Sequence, residues 1–293
     1  MKNIKAMLSK GMRRYLVFSL LLLILPINAK ADEPFYILNV SNKKIVSIKK
    51  LVDELYDIDV VILGEIHNEK VHHEFQLRFI EEFSKRKKYI AIALEMFRRE
   101  NQKVLDDWVF GRISLNDFIK NYYENWTFPW SLYSSIFFHA KEHNIPLLGV
   151  NIPKEITQKV AEKGFLSLTQ KDYEKLPKDV RCDVDEDYKT FIGKIFDFHK
   201  NKVENKTFQN FCEAQILWDK SMAHYILEFR KSNPDKKIIL LTGAVHAFKN
   251  AVATQLKRLD NGVTVKVILP EIAKKIDARS VTVSDCDYMV YER

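Results

Sequence analysis

The sequence predicts an α/β fold, with a mostly parallel central sheet flanked by helices and a long helical insertion. Three observations carry this. Five short apolar runs lack the alternation of a half-exposed strand, so each reads as a strand buried on both faces. Stretches with apolar residues at helical spacing separate them. Strands alternating with helices imply right-handed crossovers and parallel pairing. A composition of 46% hydrophobic and 29% charged residues is ordinarily globular, which excludes a disordered chain or a collagen-like repeat.

Taken in order, two β-prone pieces from Phe35 to Val46 flank Ser41-Asn42-Lys43 and predict a hairpin ahead of the main domain. Ser47 is placed to cap a helix that carries Ile48, Leu51, Val52, Leu55 and Tyr56. The first buried run, Asp59 to Leu63, stops at Gly64-Glu65, and a helix is expected over 69–87. The second, Tyr89 to Leu94, ends at Glu95-Met96, with helical pieces over 102–143. The third, Pro146 to Val150, ends at Asn151. The insertion follows over 154–232, helical in pattern and highly charged, with Asp183 to Asp187 reading as a solvated loop and helix start. Lys237 to Leu241 ends at Thr242-Gly243, a helix is expected over 246–259, and Val263 to Leu269 ends at Pro270. The last segment, Val281 to Tyr291, reads as an edge hairpin. No repeat or Gly/Ser linker divides the chain, so residues 32–293 are expected to form a single domain.

Residues 1–31 read as a signal peptide: a basic region ending at Arg13-Arg14, an apolar run from Leu16 to Leu25, then Pro26 and Ala29-Lys30-Ala31. Ten helical residues rise about 15 Å, half the thickness of a bilayer core, so export is the better reading than a membrane anchor. The expected location is the periplasm or cell envelope, without a lipobox cysteine. The leader also explains the charge. It holds six of the 47 cations and none of the 39 acids, so the formal +8 falls to about +2 beyond it, which removes the argument for nucleic acid as a partner. Cys182, Cys212 and Cys286 match no zinc or Cys-x-x-Cys spacing, and their pairing is open.

In an open parallel sheet, ligands bind beyond the carboxyl ends of the strands. Those ends carry Glu65 and His67, Glu95, Asn151, and His246. Singly, a Glu after a strand is usually a helix-start charge and a His usually a packing residue. Their convergence on one rim marks the candidate site. His72-His73 are weaker candidates, since adjacent helical residues point about 100° apart. His139, His143, His199 and His224 fall inside expected helices and read as surface or packing residues. The aromatic cluster Trp126, Phe128, Trp130 and Tyr133, with Met96, Phe97 and Trp218, could line an apolar pocket or pack the core.

The ordered set of motifs resembles the ChaN-like haem-binding family. It comprises Gly64-Glu65-Ile66-His67 with His72-His73, Leu94-Glu95-Met96-Phe97 with Gln102 and Leu105-Asp106, and Trp130 with Tyr133. It continues through Gly149-Val150-Asn151-Ile152-Pro153 and the helix from Glu213 to Ala223 to Thr242-Gly243-Ala244-Val245-His246. The similarity runs from about residue 35 to 270. It implies an exported haem-binding protein associated with iron uptake, in a superfamily that includes Tiki-type metalloproteases and erythromycin esterases. There the equivalents of Glu65, His67, Glu95 and His246 form the working site. The resemblance also implies a tyrosine as iron ligand, which no motif assigns to one of the twelve tyrosines. Two features depart from the family: Ala247 to Ala251 replace a glycine-rich continuation, and the lipobox cysteine is missing.

Three readings follow. The first is haem binding near the strand ends by His67, Met96, Phe97, Arg98, Trp130, Tyr133, Asn151 and His246. Arg98-Arg99 would answer the propionates. Its partners would be a haem receptor or transporter and a second copy of the chain. The second is a hydrolase in which Glu65, His67, Glu95 and His246 activate water or hold a divalent metal; no Gly-x-Ser-x-Gly motif points to a serine nucleophile. The third is an interaction module recruiting a partner through the charged insertion. The resemblance favours haem.

Overall fold

A computed structural model describes residues 33–86, 89–178, 180–199 and 208–293, with the side chains of 195–199 excepted. The expected leader lies outside the described residues, as does the side chain of His199. The elements in chain order are β1 (Phe35–Asn39), β2 (Lys44–Val46), α1 (Ile48–Leu55), β3 (Val60–Glu65), α2 (Lys70–Ser84), β4 (Ile90–Arg98), α3 (Gln102–Val109), α4 (Leu115–Asn125), α5 (Trp130–Glu142) and β5 (Leu147–Asn151). The insertion follows as α6 (Lys154–Lys163), α7 (Gln170–Tyr173), α8 (Glu186–His199) and α9 (Phe208–Ser232). The chain closes with β6 (Lys237–Gly243), α10 (Ala244–Ala247), α11 (Thr254–Leu259), β7 (Val265–Pro270) and β8 (Tyr288–Glu292).

The eight strands form one sheet in the order β2-β1-β8-β7-β3-β6-β4-β5. All pairs from β8 to β5 are parallel; only the β1–β2 hairpin and its seam with β8 are antiparallel. Alternate residues divide between two cores. Val61, Leu63, Ile92, Leu94, Ile239 and Leu241 face helices α1–α5, while Val60, Ile62, Ala91, Ala93, Ile238 and Leu240 face α9, α10 and α11. The apolar runs are continuous because both faces are covered. Local signals behave as expected: Ser47 Oγ accepts from Lys50 N at 3.3 Å and caps α1, and Lys43 takes the left-handed turn position of the hairpin at φ 56°.

Two expectations need correction. Residues 281–291 form no edge hairpin: β8 is an interior strand, parallel to β7 and antiparallel to β1. Its Tyr288, Met289 and Val290 are buried between those neighbours, a non-local pairing that local pattern cannot reveal. β4 does not stop at Leu94 but runs to Arg98, with an irregular register against β5 between Leu94 and Arg98. Gly149 makes that close passage feasible, because a Cβ there would sit 2.6 Å from the Arg98 carbonyl oxygen. Glu95 thus lies within a strand rather than after it.

Candidate functional site

The carboxyl ends of β3, β4 and β6 lie side by side, since β6 pairs with both β3 and β4. A cavity of about 1590 Å³ opens there, lined by Glu65, His67, Glu95, Asn151 and His246. Its apolar walls come from Trp126 and Phe128 after α4, Ile152 after β5, Phe191 of α8, Trp218 of α9 and Phe248 after α10. Arg98, Lys154, Lys194 and Lys275 add positive charge around it.

Glu65, only 1% exposed at the end of β3, is the best-bonded side chain of the site. Its Oε1 accepts from His67 Nδ1 at 2.8 Å and from the Tyr133 hydroxyl at 2.5 Å. Its Oε2 accepts from Gln76 Nε2 at 2.8 Å, with His73 Nδ1 at 3.5 Å. Burial by itself would raise its pKa, but the hydrogen bond from His67, the nearby His73 and the Tyr133 hydroxyl hold it below the usual carboxylate range. His67 is correspondingly raised. Burial opposes its charge, and the Glu65 hydrogen bond with the charges of Glu95 and Glu65 overcomes that. Its ring is wedged between Trp126 and Phe128, each 4.9 Å away by ring centroid. Gly243 gives it room, because a Cβ there would lie 2.9 Å from His67 Cε1 and 3.0 Å from Nε2.

His246 is held in the same manner from the other side. Its Nδ1 bonds Asp219 Oδ1 on α9 at 2.7 Å, and the Tyr188 hydroxyl on α8 donates to Asp219 Oδ2 at 2.6 Å. Burial acts to lower the His246 pKa, but the Asp219 charge and hydrogen bond raise it. Burial raises Asp219 against the pull of His246 and Tyr188. Glu95 stands between the two histidines, its Oε2 accepting from Thr242 Oγ1 and Gly243 N, both at 2.6 Å. A carboxylate on the Nδ1 of each imidazole fixes the ring, selects the tautomer and makes the remaining Nε2 a more basic ligand or proton acceptor.

The four strand-end residues singled out by sequence, Glu65, His67, Glu95 and His246, therefore share one cavity, with Asn151 and Arg98 on its wall. Asn151 ties the rim together, its Nδ2 donating to Glu95 O and its Oδ1 accepting from Trp218 Nε1 and Ile152 N. Other assignments need correction, for Met96, Phe97, Trp130 and Tyr133 are not on the cavity wall. Met96 and Phe97 are buried in the core against α3–α5, because β4 continues past Leu94 and turns them inward. Trp130 opens α5 and packs on Phe118, Tyr122 and Phe137. Tyr133 is fully buried and serves Glu65 instead. Both of the paired histidines are buried: His72 Nδ1 accepts from Ile66 N at 3.0 Å, and His73 Nε2 lies 3.1 Å from His67 O.

Sequence reasoning assigned no role to Asp219, Tyr188 or Gln76. Asp219 follows Trp218 on a helix with apolar spacing, and an acid on such a helix was the available signal. His139 stacks on His143 and His224 packs edge-on against Tyr225, as packing residues do. The three cysteines are free thiols. Among the described residues, no group of three or more His, Cys, Asp or Glu is arranged to hold a metal ion.

The sequence profile described as haem-binding uptake, Tiki superfamily, ChaN, matches residues 51–256. Among solved structures, the one reported as cofacial heme binding to ChaN of Campylobacter jejuni superposes with a TM-score of 0.70 at 21% identity, covering 89% of this chain and 98% of that one. A succinoglycan biosynthesis protein superposes at 0.51 with 12% identity, covering 84% of this chain and 90% of that one. Both likenesses concern the fold. Among curated proteins, none matches the chain.

Proposed function

The chain belongs to the ChaN haem-binding uptake family of the Tiki superfamily, and from that premise we propose that it binds haem in the cavity at the ends of β3, β4 and β6. One observation carries the reading. A broad slot with aromatic walls holds two imidazoles whose Nδ1 atoms are tied to buried carboxylates. A macrocycle needs a flat apolar slot, an axial donor and cations for two propionates.

The residues fit those needs. Trp126, Phe128, Phe191, Trp218 and Phe248 offer the apolar faces, and Arg98, Lys154, Lys194 and Lys275 the propionate partners. The axial donors on the wall are His67, His246 and Tyr123, the last being the tyrosine among the described residues that lines the cavity. One of these three side chains would hold the iron. Glu65 and Asp219 hold the two imidazoles by Nδ1 and leave Nε2 as the remaining donor atom. A volume near 1590 Å³ exceeds the usual single-ligand pocket, so a cofacial pair like that reported for the Campylobacter protein is within its reach.

Titration with haemin tests this. Micromolar haemin should give a Soret band that shifts or is lost in His67→Ala, His246→Ala or Tyr123→Phe, and the responding variant names the ligand. No spectral change in the native protein would refute haem binding. A role in iron uptake, with export to the periplasm or envelope, a receptor or transporter as partner and a second copy of the chain, extends the same proposal. Its export arm is read from the mature N-terminus, which should begin at Asp32.

A further inference from the structure

A second cavity, of about 290 Å³, lies on another face of α9, between that helix, α11 and the residues Pro177, Lys178, Val180, Arg181 and Asp183. Four of its lining residues are cationic: Lys178, Arg181, Lys220 and Arg258; the acid among them is Asp183. Two of the cations are committed. Lys220 Nζ donates to Arg181 O at 2.8 Å and to Asp183 Oδ2 at 3.3 Å, and Arg258 pairs with Asp185. Among the described residues, neither the Lys178 ammonium nor the Arg181 guanidinium is engaged by an acid.

A second, independent feature points to a missing acceptor. Gln255 of α11 lines this cavity, is 1% exposed, and its Nε2 has no hydrogen-bond partner. Buried amide donors are almost always satisfied, and turning the amide about its last bond offers either end to the cavity without a change of shape. Free cations beside an unsatisfied buried donor form a concavity with the chemistry of an anion site. We propose that this cavity binds a small oxyanion, the phosphoryl or carboxylate group of a ligand, through Arg181, Lys178 and the Gln255 amide. The site is separate from the haem cavity and does not depend on the haem reading.

Calorimetry of the full chain at low ionic strength tests it, with inorganic phosphate and succinate as probes. Saturable one-to-one binding of phosphate, weakened at least tenfold in the Lys178→Ala, Arg181→Ala double variant, supports the proposal with a phosphoryl group as the natural source. Binding of succinate alone, with the same loss, supports a carboxylate source. Both replaced residues are exposed, so the fold and the haemin spectrum should be unchanged. Gln255→Leu adds an arm that a surface-charge effect would not move: it should lose phosphate binding without a fall in melting temperature. No saturable heat from either probe, or heat unchanged in the double variant, overturns the proposal.

Discussion

Two corners of the molecule solve the same problem with different resources. At the end of β3, His67, Glu65 and Tyr133 form a histidine–carboxylate–tyrosine set; across the cavity, His246, Asp219 and Tyr188 form another. Glu65 has a further donor in Gln76, with His73 3.5 Å away, and is held below its ordinary pKa, whereas Asp219 has only its histidine and tyrosine and is pushed above it. Burial opposes both charges. The number of donors around the carboxylate decides which remains firmly ionised. The first set is built on a central strand and the fully packed helices α2 and α5, the second on the insertion helices α8 and α9.

The sharpest way to break this comparison is to remove each carboxylate. Glu65→Ala strands three hydrogen-bonded groups, one after β3, one on α2 and one on α5, and should cost about 3–5 kcal/mol of stability in urea unfolding. Asp219→Ala strands two and should cost about 1–3 kcal/mol. Equal losses would show that donor number is not what separates the corners.

A pH series sharpens it next. Burial, with the neighbouring His73, presses the His72 pKa down to about 4 from 6.5. The unfolded chain therefore takes up a proton that the folded chain refuses. Stability present above pH 6.5 is lost as the pH falls from 6.5 towards 4, by about 3 kcal/mol. His67 and His246 are raised, so their contribution is complete below pH 6.5 and is lost as the pH rises through their folded values. Imidazole nitrogen shifts at pH 6 should show His72 neutral and the other two protonated; a protonated His72 would remove the distinction.

The smallest effect concerns the hydroxyls. Tyr133→Phe and Tyr188→Phe should each cost about 1 kcal/mol. The second should weigh more on its histidine's titration, because Asp219 has one donor left where Glu65 keeps two. The same nitrogen shifts read this, and a larger movement of His67 than of His246 would contradict it.

Much of the frame was legible in the amino-acid order. Apolar runs such as Val60-Val61-Ile62-Leu63 could be strands only if covered on both sides, and the polar residues ending them had to reach one rim, because parallel strands end together. Ser47 as a cap and the hairpin over Phe35–Val46 were local matters, and local chemistry sufficed. The roles of Met96, Phe97, Trp130 and Tyr133 were not legible, since an aromatic residue reads the same whether it lines a slot or fills a core. A bulged β4 and the start of α5 at Trp130 turned them inward. The place of β8, and the choice of Asp219 and Tyr188 to hold His246, waited on the tertiary structure, for they join segments far apart in the chain. Sequence periodicity reports which face of an element is buried, but which partner meets that face is fixed by packing across the whole molecule.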